Sequence, residues 1–142
     1  MATVIDGSGN FNGNVPLNAT NIASQAQAEA GTDNATIMTP LRVKQYTAAN
    51  DLGWGQTWQN VAGSRLKDVA YQNTTGRPIL VSMVINGSTT GNIQVSADNV
   101  TYITVAAYNG TQSTQSFIVP NGHYYKLLGT GTPTIVSWAE LR

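Results

Sequence analysis

Cysteine is absent from this chain and histidine occurs once, and both shortages limit the chemistry that it can perform. Without cysteine there is no disulfide bond, no thiolate metal ligand and no cysteine nucleophile. The single histidine, His123, follows the turn Asn121-Gly122 and has no neighbouring histidine with which to share a metal ion. The sequence has no G-x-S-x-G motif that would indicate a serine hydrolase. We therefore expect no catalytic residue, no metal site and no cofactor.

Charged residues are scarce as well, at 10% of the 142 residues, and they sum to zero net charge. A nucleic-acid partner would require a cluster of Lys and Arg to neutralise phosphates, and the sequence has no such run. It has no apolar stretch of about 20 residues that would insert into a membrane. Neutral polar side chains must therefore cover the surface, which suits a protein that binds uncharged ligands or packs against copies of itself.

Carboxylates are too few and too scattered to indicate a polysaccharide hydrolase. Glycosidase chemistry needs two facing carboxyl groups about 5–9.5 Å apart. The strand-rich part of the chain and its border hold four, Asp51, Asp68, Asp98 and Glu140. Asp98 belongs to a predicted turn and Glu140 lies near the C-terminus, so a pair within one chain is not expected. A pair assembled between subunits is the open alternative.

The composition divides the chain into three regions. Residues 1–18 are rich in Gly and Asn with few apolar anchors, which predicts an extended linker. Residues 19–52 contain two short helix patterns, and residues 53–142 contain strand and turn patterns.

Two short helices are predicted in the second region. The first has Thr20 as its N-cap, Gly31 at its C-terminal end and an apolar stripe of Ile22 with four alanines. The alanines are Ala19, Ala23, Ala26 and Ala30. The second helix begins at Thr39-Pro40 and runs to Asn50. Isolated helices shorter than about 12–15 residues are marginal in water. Both helices therefore need partners, either other copies of the chain or, as the alternative, the β-domain of the same chain.

Eight short strands joined by tight turns are predicted in the third region. Residues 78–85 are apolar on both faces, which places this strand in the middle of a sheet. In residues 92–97 the alternation predicts that Ile93, Val95 and Ala97 point inward. The other strands are predicted at residues 53–61, 69–73, 101–107, 114–119, 123–128 and 134–141. Short, evenly spaced strands indicate a mainly β domain, an antiparallel β-sandwich or jelly roll.

Two stretches of the chain resemble the tail-fibre proteins of tailed bacteriophages and prophages. Residues 24–46 read SQAQAEAGTDNATIMTPLRVKQY, which is similar to the segment that usually precedes the C-terminal head of these fibres. The head itself is resembled by the runs GQTWQ, YQNTTGRPI and VPNGHY, by Arg65 and by the C-terminal WAELR. Together the matches span most of residues 24–142.

The resemblance implies a receptor-binding fibre tip at the distal end of the fibre of a virion. Such a tip is a non-enzymatic homotrimer with a short helical stalk before a β-sandwich head. Its partners are two further copies of the chain, the remainder of the fibre or tail, and a bacterial surface receptor, often a glycan such as lipopolysaccharide. The alternatives are a structural fibre or collar component, a polysaccharide depolymerase, and a free carbohydrate-binding module.

We expect the interface of the trimer to use small and apolar residues of the helical region and two tryptophans of the head. These residues are Ile22, Ala23, Ala26, Ala30, Leu41, Tyr46, Trp58 and Trp138. For the two tryptophans, a place in the core is the alternative. The motif residues, such as Thr75-Gly76-Arg77-Pro78, are expected to form turns and to hold the fold.

Strand parity predicts where a receptor would bind. If the strands run along the fibre axis, the far end carries the loops 62–68, 86–91, 108–113 and 129–133. Sugar sites combine an aromatic face with amide and hydroxyl groups, a pattern that Tyr108 and its neighbours have. The predicted contact residues are Arg65, Asn86, Ser88, Thr89, Tyr108, Asn109, Thr111 and Gln112. The alternative is that Tyr108 only caps a hairpin and that these polar groups stay hydrated.

Two other locations for the receptor site stay open. One is the opposite end of the domain, which carries a second set of polar and aromatic side chains: Asn99, Asn121, His123 and Tyr124. The other is a groove between subunits.

Overall fold

The structure, a computed structural model, describes residues 22–33, 35–87 and 90–142. The chain divides into two compact units, Met1–Ala49 and Asn50–Arg142, and the sequence predicted this boundary at residue 53. The predicted linker 1–18 lies outside the described residues. Among the residues that are described, no helix has the length and the apolar character needed to cross a membrane.

In its described residues, the first unit contains two helices, α1 (Gln25–Ala30) and α2 (Pro40–Asn50). Ser24 caps α1, because its hydroxyl accepts a hydrogen bond from the Gln27 N–H while the Gln27 side chain accepts one from the Ser24 N–H. The prediction of Thr20 as N-cap is therefore wrong, and Thr20 itself lies outside the described residues. Gly31 ends α1 in the left-handed conformation at φ 64°, as predicted.

Arg42, in the T-P-L-R run, connects the two helical segments. Its Nε donates to the carbonyl oxygen of Ala23 at 2.8 Å, and its Nη1 donates to the Gln45 side chain at 2.7 Å. Gln45 in turn donates to Gln25 in α1 at 3.0 Å. Thr39 accepts from the Arg42 N–H at 3.4 Å, which places Pro40 at the first helical position, as predicted. Hydrogen bonds thus connect the two helical segments among the described residues of this unit.

Burial in the first unit differs from the predicted alanine stripe. Ala23 and Ala28 are buried, whereas Ala26 and Ala30 are exposed. The reason is that Ala23 precedes the helix, so it does not share a helical face with Ala26 and Ala30. In the described part of the chain, α2 buries none of its residues.

The second unit contains eight strands within residues 50–87 and 90–142, one for each strand predicted. They are β1 (Trp58–Asn60), β2 (Tyr71–Gln72), β3 (Ile79–Asn86), β4 (Thr90–Ser96), β5 (Ile103–Asn109), β6 (Ser113–Val119), β7 (Tyr124–Gly129) and β8 (Thr134–Leu141). A 3₁₀ turn, Ala62–Ser64, follows β1. The first strand is shorter than predicted, because Gly53 and Gly55 adopt positive φ in a turn.

The strands form two four-stranded antiparallel sheets. The first sheet has the order β1-β8-β3-β6 and the second the order β2-β7-β4-β5. β3 lies inside the first sheet, as its apolar run predicted. Side chains from both sheets join one core cluster, an arrangement compatible with the predicted β-sandwich. The largest fully buried members of this cluster are Trp138, Tyr125, Ile79, Met83, Ile85, Ile93 and Leu127.

The end of β4 departs from the predicted alternation. Ser96 is buried and Ala97 is exposed, the reverse of the expectation. The strand ends at Ser96, whose hydroxyl donates to Asp98 at 2.8 Å. The Asp98 carboxylate also accepts from the N–H groups of Val100 and Thr101 at 2.9 and 2.8 Å. These bonds form a tight turn, so the chain leaves the strand one residue earlier than the sequence pattern suggests.

Glu140 joins the two sheets to the segment that connects them. Its side chain has no exposed surface, and its two oxygens accept from Arg65 at 3.0 and 3.1 Å. Arg142 donates to the same carboxylate at 2.6 Å, and the Tyr125 hydroxyl of the second sheet donates to it as well. Burial alone would raise the pKa of Glu140, but the bonds from Arg65, Tyr125 and Arg142 outweigh it and lower the pKa.

Asn73, in the N-T-T-G-R-P-I run, organises a turn from its centre. The residue is 2% exposed, and its side-chain nitrogen donates to the carbonyl oxygens of Arg77 and Val119 at 2.8 and 3.0 Å. Its side-chain oxygen accepts from the N–H and the hydroxyl of Thr75 at 3.1 and 2.8 Å. Gly76 then turns the chain at φ 87° toward β3. The prediction that this run forms a turn before a strand is confirmed.

Replacing Glu140 by Gln should lower the free energy of unfolding by about 3 kcal/mol, because it leaves the largely buried Arg65 without its charged partner. The matched control is Asp68→Asn, which breaks the exposed Lys67–Asp68 pair and should cost less than about 1 kcal/mol. Urea denaturation at one protein concentration measures both. Equal losses for the two variants would contradict the role given to Glu140.

The Asp98 turn should make stability depend on pH at the acid end. The N–H groups of Val100 and Thr101 and the Ser96 hydroxyl lower the pKa of Asp98 from 3.8 to about 2. Between these values the unfolded chain binds more protons, so the stabilisation is complete above pH 3.8 and disappears as the pH falls through about 2.

Asp98→Asn removes this titration, so the advantage of the unaltered chain over the variant should shrink between about pH 5 and pH 2. Denaturation midpoints of both proteins across this range measure the effect. A constant difference would show that the Asp98 carboxylate does not act through its charge.

Candidate functional site

Three of the four loops predicted to share one end of the second unit do so. The register pairs Asn86 with Thr134 and Thr90 with Asn109. The N–H of Thr130 donates to the Thr90 carbonyl at 3.0 Å. The loops 86–91, 108–113 and 129–133 therefore meet there, and we call this the loop end. The fourth segment, 62–68, connects β1 at one edge of the first sheet to β2 at one edge of the second. Its residue Lys67 reaches the loop end, where it donates to the Gly129 carbonyl.

A depression of about 490 Å³ lies at the loop end, on the second sheet. Six of its nine lining residues share the outer face of β4, β5 and β7 by register and alternation. They are Thr90, Asn92, Ala107, Asn109, Leu128 and Thr130. Two amides, two hydroxyl groups and an aliphatic side chain thus surround one concave surface.

The lining of this depression carries no ionisable acid or cation. At its rim, Lys67 donates to the Gly129 carbonyl at 2.7 Å and forms an ion pair with Asp68 at 2.6 Å. Amide and hydroxyl groups can both donate and accept hydrogen bonds, and Leu128 adds an apolar surface that is 37% exposed. This combination suits an uncharged ligand rich in hydroxyl groups, such as a neutral sugar.

Tyr108 is buried rather than presented to a ligand. It is 3% exposed, and its ring packs over Gly91 and Gly129 of the neighbouring strands. A Cβ added at Gly91 would lie 2.6 Å from Cε1 of Tyr108 and would overlap the carbonyl oxygen of Leu128. The expectation that Tyr108 offers an exposed aromatic face is wrong, because two side-chain-free positions accept the ring into the core.

Arg65 is the second predicted contact residue that the structure places elsewhere. Its guanidinium binds Glu140 and lies 4.4 Å from the ring centre of Tyr71. The side chain is 16% exposed, so it supports the core and contributes nothing to the loop end. The sequence could not reveal this, because Arg65 and Glu140 are 75 residues apart.

Of the remaining predicted contacts, Asn109 lines the depression, and the others lie near the rim or among the undescribed residues. Asn86, Thr111 and Gln112 are exposed near the loop end but do not line the depression. Ser88 and Thr89 lie outside the described residues. Asn92 and Leu128 line the depression although the sequence analysis did not select them. Strand alternation places Asn92 on the outer face of β4, and this sequence pattern could have identified it as a lining residue.

The predicted interface residues are also divided. Trp138 has no exposed surface within a single chain and is therefore a core residue, so we withdraw it from the interface. Ala23 is also buried within its own unit, so its side chain is not available to another chain. Ile22 is half-buried. Leu41 and Trp58 are 59% and 54% exposed, so their surfaces are available to another chain.

Three of the four acidic side chains of the strand-rich unit are engaged in the fold. Glu140 is bound by two arginines, Asp68 pairs with Lys67, and Asp98 closes its own turn. Within residues 22–33, 35–87 and 90–142, no group of three or more His, Asp or Glu side chains could hold a metal ion.

Comparison with protein-family models, with curated proteins and with solved structures finds no match to this chain.

Gly91→Ala should destabilise the protein by about 1–3 kcal/mol, because the added methyl group overlaps a backbone carbonyl and the Tyr108 ring. Gly63→Ala is the matched control, since a Cβ there meets no atom within 4 Å, and it should change stability by less than about 0.5 kcal/mol. Thermal and urea unfolding report both changes. An equally stable Gly91→Ala variant would contradict the packing described for Tyr108.

Proposed function

We propose that this protein is the receptor-binding tip of a bacteriophage tail fibre and that it holds a neutral bacterial surface sugar in the depression at the loop end. The observation that carries the proposal is the uncharged lining of amide and hydroxyl groups around Leu128. A sugar offers hydroxyl groups to Asn92 and Asn109 and a C–H face to the leucine. This proposal includes no catalytic step.

The position of the depression supports attachment. The chain enters the strand-rich unit near Gln56, whose side chain donates to the Pro78 carbonyl at 2.9 Å. Pro78 precedes β3 and the loop end follows it, so the depression lies at the opposite end from the entering chain. In a fibre that continues on the N-terminal side, this end faces away from the virion.

The exposed apolar side chains of α2 support the proposed homotrimer. Leu41, Val43 and Tyr46 are 59%, 52% and 42% exposed in the single chain. Burying apolar surface contributes roughly 25 cal/mol per Å², and α2, which has no fully buried residue, gains only part of this stabilisation in its own chain. Two further copies around a symmetry axis would supply it and form the stalk.

Several residues of the resembling motifs hold the fold, which supports the proposed type of head. Asn73 builds a turn, and Arg65, Glu140 and Arg142 form the buried ion cluster. The strand order, in which β1 pairs β8, β3 pairs β6, β2 pairs β7 and β4 pairs β5, supports a jelly-roll head.

Binding to an array of bacterial surface glycans tests the attachment function. We expect binding to at least one neutral glycan, and Asn109→Ala should weaken it about fivefold to tenfold through the loss of one hydrogen bond. Asn86→Ala is the control, since this exposed asparagine lies near the loop end but outside the depression. It should leave the affinity unchanged.

Other outcomes favour the rival functions. No binding to any glycan or to whole bacteria would favour a structural fibre or collar component. Shortening of a polysaccharide during incubation, measured by size-exclusion chromatography, would favour a depolymerase. Equal losses in Asn109→Ala and Asn86→Ala would move the site away from the depression.

A further inference from the structure

An apolar row crosses the whole outer face of the first sheet. The register pairs Trp58 with Leu141, Leu141 with Leu80, and Leu80 with Ile118. Directly paired residues of antiparallel strands project on the same face, and the chain neighbours of Leu80 and Ile118 are buried on the other. Trp58 and Ile118, at the two ends of the row, are each 54% exposed.

An apolar cleft of about 460 Å³ opens where the row ends at Ile118. It lies between β5 and β6, the edge strands of the two sheets. Its apolar lining includes Val95, Ile103, Ile118 and Pro120, and Ile103 is 65% exposed. The side chains that would cover this surface are not supplied by the described part of the same chain.

The opposite edge of the first sheet carries a side chain that suits the cleft. β1 has three residues, all exposed, and Trp58 projects from its outer face. An indole ring buries about 150–250 Å² when it is enclosed, more than an aliphatic side chain. The first sheet therefore has an apolar projection at one edge and an apolar cleft at the other.

The shared row places the projection and the cleft at the same height along the strands. Rotation about an axis parallel to the strands leaves height unchanged, so it can bring Trp58 of one copy level with the cleft of the next. Contacts between two different surfaces of identical chains are heterologous, and they close into a ring when the rotation is a whole fraction of a turn.

We propose that Trp58 of each chain inserts into the β5–β6 cleft of the next chain in a closed ring of three. This inference rests on the homotrimer of the proposed function and adds the contact that holds the heads together. A second copy is favoured over a charged partner because the described lining of the cleft contains no Lys or Arg, and its titratable groups are one histidine, His123, and one carboxylate. Its one carboxylate, Asp98, is already bound to two N–H groups of its own turn.

Thiol cross-linking of the full chain tests this contact without background, since the natural sequence has no cysteine. Trp58→Cys and Ile103→Cys both replace exposed side chains, so the variants should fold. With a short bifunctional maleimide, the double variant should give a covalent trimer on a denaturing gel. Co-expressed single variants should give a covalent dimer, and neither single variant alone should give one.

Three results would overturn the proposal in distinguishable ways. A covalent dimer from Trp58→Cys alone would show that the β1 edges of two chains face each other. A double variant that is trimeric by light scattering but does not cross-link would exclude this contact and leave the fibre tip intact. A mass of 15.0 kDa for the unaltered chain would exclude the contact together with the trimer beneath it.

A dissociation series provides a second measurement. Trp58→Ala should raise the concentration at which the trimer dissociates at least tenfold. Val136→Ala, a change at a similarly exposed apolar residue (51%) of the same sheet, should raise it less than twofold. Equal effects of the two variants would overturn the role given to Trp58.

Discussion

The strand-rich unit depends on the hydrogen bonds and ion pairs that the buried carboxylate of Glu140 forms. A charge without solvent must be paired, and here Arg65, Arg142 and Tyr125 all bind it. These groups come from the connection between the sheets, from the C-terminus and from the second sheet. One carboxylate thus ties together segments that are far apart in sequence. Glu140 lies in β8, which pairs β1 on one side and β3 on the other.

The same interaction helps to explain why the surface of this unit is so neutral. The chain has few charged residues. In the strand-rich unit, several of them bind one another or the backbone, in the Glu140 cluster, the Lys67–Asp68 pair and the Asp98 turn. What the outer faces present is mostly amide, hydroxyl and aliphatic groups. Such a surface loses little by desolvating ions, which favours both neutral sugar ligands and association with identical chains.

The two surfaces that we propose for binding occupy different parts of the unit. The depression lies on the outer face of the second sheet at the loop end, whereas the apolar row and its cleft lie near the end where the chain enters. A ring formed through the apolar row and its cleft would leave the depressions of all three chains accessible. Weak individual sites would then act together on a bacterial surface that repeats the same glycan.

Local patterns in the sequence predicted the eight strands, the central place of β3, the turn at Gly76 and the ends of both helices except the start of α1. Alternation, turn residues and caps act over a few residues, so they can be recognised without knowing the fold. The burial of Arg65 and Tyr108, the depression and the apolar row were decided by tertiary structure. Each depends on which distant strands pair, as when Trp58 meets Leu141 or Tyr108 meets Gly91. A strand pattern shows which residues share a face, but the pairing of strands decides what that face contacts.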